Sequence, residues 1–156
     1  MTQLLSKYWT IAGAGMLLCA VRFLLRWRSL PRVLDMLDHG AVAARRDLPA
    51  LERRIYYVDR WLELFPYNTK GNCFPRALTL YWLARRAGYP VRFYCGIKRE
   101  GSTLDGHAWL TLDREPFHEL SEQWRQYAVT FSYPELAASQ DETSSRPSPQ
   151  GSARVA

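Results

Sequence analysis

The sequence is short of the residues that build the commonest chemical sites. It has three cysteines, an odd number with no framework spacing, and it contains neither a CxxC pair nor a Cys/His cluster of the zinc type. A disulfide-framed fold and a structural zinc module are thereby excluded, and reduced thiols in a cytoplasmic protein are the expectation. No glycine-rich phosphate loop occurs. The "GAG" at 13–15 lies inside an apolar run and lacks the rest of such a motif. Acidic residues are the minority: 15 Asp and Glu against 21 Lys and Arg give a formal charge of +6. That balance admits nucleic acid, anionic lipid or acidic peptide as partners. The arginines are scattered, without the aromatic-basic ladder of RNA-binding modules, so the reading is no nucleic acid. No internal repeat is present, and no cofactor or metal is expected.

What is there fits one domain of modest core at 156 residues. Residues 1–30 read as an apolar helix, 31–137 as the main domain, and 138–156, rich in Ser, Pro and Gln, as a disordered tail. The run from Tyr8 to Val21 is shorter than the roughly 20 residues a spanning helix needs. Extension to Trp27 reaches that length but includes Arg22 and Arg26, with Trp9 and Trp27 as candidate interfacial anchors. Packing on the domain or a partner, contact with a membrane, and secretion are the alternatives. No small-x-small site follows the run, which disfavours the last.

Helices are expected over about 4–28, over "RVLDMLDHG" with Gly40 as its stop, and over "DLPALERRIYYVDRWLELFP" with Asp47 as N-cap. Another should follow Cys73, with Ala77, Leu78, Tyr81, Trp82 and Ala84 on its buried side, capped by Gly88 and ended by Pro90. "VRFYCGI" and "HAWLTL" alternate as strands, joined by a turn-rich "KREGSTLDG". "DREP" reads as a tight turn, "FHEL" as a third strand and "YAVTF" as a fourth. Helices followed by a small antiparallel sheet make an α+β domain.

This order places Cys73 at the start of a helix, where unpaired N–H groups and the macrodipole favour a thiolate and can bind an oxyanion. Lys70 and Arg76 would add positive potential. A buried structural cysteine is the competing reading. His107, 34 positions on, opens the second strand, and the helix, strand and loop between bring it back beside the helix start. A third group should accept from the imidazole. Asp113 and Glu119 are the candidates, with Glu119 preferred and Asp105 an outsider. His39 and His118 have no cysteine at an obvious crossing point. Cys19 reads as inert and Cys95 as core.

The ordered set C-x-P-R-A-L, R-x-G, a strand ending in Gly-Ile, H-A-W and an acid twelve positions after the histidine covers residues 72–119. It resembles the transglutaminase-like cysteine peptidases of lasso-peptide biosynthesis, the leader peptidases similar to the C-terminal part of the microcin-type processing protein. The resemblance implies a minimal papain-like fold, with Cys73 as nucleophile, His107 as base and Glu119 at the position of the third acid, often Asp in the family. It implies removal of the leader from a ribosomally made precursor peptide, and a partner cyclase resembling asparagine synthetase that closes the macrolactam ring. The upstream residues look helical, without the alternating pattern of a winged-helix recognition domain. The split form is therefore expected, with a separate leader-recognition protein. An acyl transferase on the same site and a non-catalytic membrane-associated adaptor are the other readings.

Overall fold

A computed structural model of the chain describes residues 2–39, 46–64, 71–119 and 122–134. Helices α1 (Thr2–Trp27), α2 (Leu30–Asp38), α3 (Leu48–Leu64) and α4 (Cys73–Arg86) precede strands β1 (Arg92–Glu100), β2 (Thr103–Leu112), β3 (Glu115–Pro116) and β4 (Ala128–Tyr133), with a 3-10 turn at Glu122–Gln126. The strands pair antiparallel in the order β3-β2-β1-β4. The chain thus has the expected α+β class. The stop at Gly40, Phe65 at the end of the third helix, Lys70 and the tail from Ala138 lie outside the described residues.

Local chemistry explains the helices. The Asp47 carboxylate accepts the Ala50 N–H at 3.0 Å, and Leu51, Ile55, Val58 and Leu62 form the buried stripe of α3. Pro31 sits in the first turn of α2, whose Val33, Leu34 and Leu37 are buried. Among the described side chains of α1 the buried positions are Ala14, Gly15, Leu18 and Val21. Gly15 has a steric reason: a Cβ there would meet the Trp61 ring at 2.7 Å, and the Trp61 indole N–H donates to Ile11 O at 2.8 Å. The "GAG" glycine thus serves helix packing.

α4 is the central element. Beyond the expected Ala77, Leu78, Tyr81 and Ala84, it buries Thr79, Leu80 and Leu83, while Trp82 is only partly covered. Each fully buried leucine contributes roughly 2 kcal/mol. Gly88, at φ 80°, ends the helix: its N–H reaches Arg85 O, and the Tyr89 N–H reaches Ala84 O at 2.9 Å. Asp38 of α2 accepts from Arg85 at 2.7 Å and from the Tyr81 hydroxyl at 3.1 Å, which fixes the far end of α4. Phe93 and Cys95 of β1 and Ala108 and Leu110 of β2 join the core around α4.

Three strand boundaries differ from expectation. "KREGSTLDG" is mostly strand: Gly101, at φ 61°, permits a tight turn after Glu100, so β1 and β2 pair from Glu100↔Thr103 onward. His107 therefore lies in the middle of β2 and does not open it. The turn after β2 is Asp113–Arg114, both at positive φ, and only Glu115–Pro116 pair as β3. "FHEL" does not form the third strand. The Phe117 N–H still reaches Leu110 O, but His118 at φ 51° kinks the chain out of the ladder.

Candidate active site

Cys73 is the first residue of α4, half-buried. The local sequence keeps the first turn open. Asn72 makes no side-chain cap; its Oδ1 accepts from Arg22 of α1 at 3.1 Å instead. Pro75 has no N–H, and the first intrahelical bond is from Arg76 N to Asn72 O. The N–H groups of Cys73 and Phe74 therefore have no intrahelical acceptor, as at any helix start. The Cys73 thiol lies 3.9 Å from Gly106 O, so the helix start abuts the Gly106–His107 segment of β2.

His107 neighbours Cys73, and its Nε2 lies 3.6 Å from Glu119 Oε2. Both side chains of that pair are largely sheltered, at 24% and 9% exposure. The neighbouring Cys73 sulfur, then the Glu119 carboxylate, push His107 up to about 9 against the opposing effect of burial. The imidazolium is thus the favoured form at neutral pH. An imidazolium beside sulfur is the partner a thiolate requires.

Of the acid candidates, Glu119 is the one brought to His107. It arrives after the kink at His118 and not as a member of a strand. Asp113 is six residues from His107 along β2, about 20 Å away. Asp105 is engaged elsewhere, accepting the Tyr127 hydroxyl at 2.5 Å and lying 4.0 Å from Lys98 Nζ.

Arg76, expected to add positive potential, has a different place. Its guanidinium pairs with Asp59 of α3 at 2.7 Å and donates to His118 O at 2.9 Å. It ties α3, α4 and the segment leading to Glu119 together, and much of its charge is spent on Asp59. Cys95 is buried and lies 3.8 Å from the Thr130 hydroxyl, with burial pushing its thiol up. Cys19 is exposed on α1.

An aromatic row flanks the histidine. Tyr94 stacks on Trp109 and Trp109 on His107, each pair at 5.9 Å and 13°, while Tyr127 leans over His107 at 5.2 Å. Trp124, in the 3-10 turn, covers Trp109. Sequence reasoning used Trp109 only as part of H-A-W and missed Tyr127 and Trp124; two aromatics three apart in the polar "EQWRQY" were the available signal. Gly96, opposite His107 in the register, makes room for this cover: a Cβ there would meet Ala128 O at 2.6 Å. No group of three or more His, Cys, Asp and Glu among the described residues is placed to hold a metal ion.

A sequence-family model described as the transglutaminase-like superfamily matches residues 17–132. The chain belongs to the transglutaminase-like superfamily. No curated protein and no solved structure matches it. The transglutaminase-like match takes in α1 from Leu17, every element from α2 to the 3-10 turn, and β4 as far as Ser132, so Cys73, His107 and Glu119 all fall inside it. The transglutaminase-like domain type carries cysteine-protease or acyl-transfer chemistry.

Proposed function

We propose that this protein is a cysteine endopeptidase that removes the leader from a ribosomally made lasso precursor peptide. The observation that carries the chemistry is His107 held between the Cys73 sulfur and the Glu119 carboxylate. The precursor class rests on the resemblance of residues 72–119 to lasso leader peptidases of the microcin type.

In this reading the Cys73 thiolate attacks the leader–core carbonyl carbon, and the open N–H groups at the start of α4 hold the oxyanion. The tetrahedral intermediate collapses, the C–N bond breaks, and the His107 imidazolium gives its proton to the leaving amine. Neutral His107 then takes a proton from water, whose oxygen adds to the thioester. The C–S bond breaks, the leader leaves as a free acid, and the thiolate–imidazolium pair returns. Glu119 orients the ring and favours its charged form. A separate leader-recognition protein presents the precursor, and an asparagine-synthetase-like cyclase closes the ring on the released core.

The test is mass spectrometry on precursor, recognition protein and this chain. Wild type should release leader and core, and Cys73→Ala should remain folded and release neither; full cleavage by Cys73→Ala overturns the assignment. Added primary amines separate the acyl-transferase alternative, because transfer yields a leader heavier by the amine less water. Iodoacetamide labelling at about pH 6 separates the adaptor alternative: a paired Cys73 labels well ahead of an ordinary thiol.

A further inference from the structure

The α1 helix has two faces of different fate. Ala14, Gly15, Leu18 and Val21 are buried in the domain, and Leu18 and Val21 are fully so. On the opposite side Leu5, Trp9, Met16, Phe23 and Trp27 stand 57 to 75% exposed. Their spacings of four, seven, seven and four residues place all five within one sector of the helix. The stripe runs about 33 Å along the axis. The charged residues of α1 are Lys7, Arg22 and Arg26, and the helix contains no acidic residue. Exposed Arg28 follows directly, and exposed Arg54 of α3 borders a cavity of about 350 Å³ beside Trp9 and Gly13.

We infer that α1 docks this protein in the plane of an anionic lipid bilayer, its Leu5–Trp27 stripe in the acyl boundary and Arg26 beside it on the headgroups. An unbroken apolar stripe carrying two tryptophans, on a helix whose charged residues are all basic and include Arg26 at the border of the stripe, is the pattern of an interfacial helix. Charge argues against a second copy as the occupant: α1 has no acidic residue to meet the Arg26 of a second helix laid on the stripe. Length and composition alone allow Lys7–Trp27 to cross a membrane. Packing opposes that, because a spanning α1 would strip Leu18 and Val21 from the core and break the Arg22–Asn72 bond. The same bond sets a consequence. Asn72 precedes Cys73, so docking through α1 holds the candidate site within roughly a helix diameter of the membrane surface.

The inference is independent of the peptidase reading and is tested on the full chain. Flotation is compared between phosphatidylcholine vesicles and vesicles with about 30% phosphatidylglycerol. The protein should float with the anionic vesicles at least roughly tenfold better, salt should weaken the binding, and brominated lipid should quench tryptophan fluorescence. Met16→Glu with Phe23→Glu should abolish binding while circular dichroism and Cys73 labelling stay unchanged. Binding should be lost on alkaline carbonate extraction. The idea fails if anionic vesicles do not bind the protein, or if the double variant binds as well as wild type. It fails equally if carbonate leaves the protein in the membrane, the mark of a spanning helix. A dimer or partner complex that the double variant breaks, without vesicle binding, also sinks it.

Discussion

Two histidines eleven residues apart occupy regions of similar depth and differ in protonation. His107, on β2, faces a sulfur and a carboxylate and is pushed up to about 9. His118, at the kink after β3, is driven down by burial against the opposing pull of Glu52, with Arg76 adding to the fall and Asp59 opposing it least. Its ring meets the Phe117 edge at 4.7 Å, and its backbone carbonyl, not its imidazole, is what Arg76 uses. The comparison shows that burial drives an imidazole toward neutrality. It takes an anion-forming partner on one side and an acid on the other to reverse that. His107 is built for charge and His118 for shape.

The sharpest way to break this contrast is to exchange the roles. His107→Ala should cost about a thousandfold in leader release, while His118→Asn, which tolerates positive φ, should stay within about tenfold. Equal losses in mass-spectrometric rates would remove the distinction. Next comes Glu119→Gln, which keeps an acceptor and removes the charge. His107 should then titrate below about 9 in an NMR titration of its ring, and the rate should fall roughly ten- to a hundredfold. A ring that titrates unchanged would mean that Glu119 does not act on it.

The raised value also makes a stability prediction. His107 is charged below about 9 in the folded chain and below about 6.5 in the unfolded chain. Its contribution is therefore complete below pH about 6.5 and is lost as pH climbs through about 9, with an upper bound on the order of 3 kcal/mol. Urea midpoints should fall across that window in wild type and fall less in His107→Ala. The smallest effect belongs to Arg76→Lys, which keeps the charge but cannot both fork onto Asp59 and reach His118 O. It should lose roughly 1–2 kcal/mol and slow turnover a few-fold, with Arg76→Ala worse on both. Unaltered turnover in Arg76→Ala would show that the Glu119 segment needs no such tie.

Much of this was legible without coordinates. The helices α2 and α3, the Asp47 cap and the Gly88 stop are local matters of period and backbone preference, and they stand. So does the approach of Cys73 to His107, because a helix, a strand and a return strand leave few places for the second residue to go. The errors fall where local signals compete. "KREGSTLDG" is too polar to show alternation, yet Gly101 closes the hairpin early and its flanks pair as ladder. "FHEL" has strand composition, but the Asp113–Arg114 turn and the kink at His118 spend its residues otherwise. Tyr127 over His107 and Trp124 over Trp109 were missed because their spacing in "EQWRQY" does not say what they cover, which depends on β4 joining the far side of β1.

The sequence by itself determined the class of fold, a thiol at a helix start and a histidine placed to return to it. These follow from periodicity, caps and the short reach of the connections. Only the tertiary structure decided that Glu119 and not Asp113 meets His107, that Arg76 clamps the segment leading to that acid, and that one face of α1 is left uncovered. Those outcomes rest on register, kinks and helix packing, which are set by long-range burial and cannot be read from neighbours along the chain.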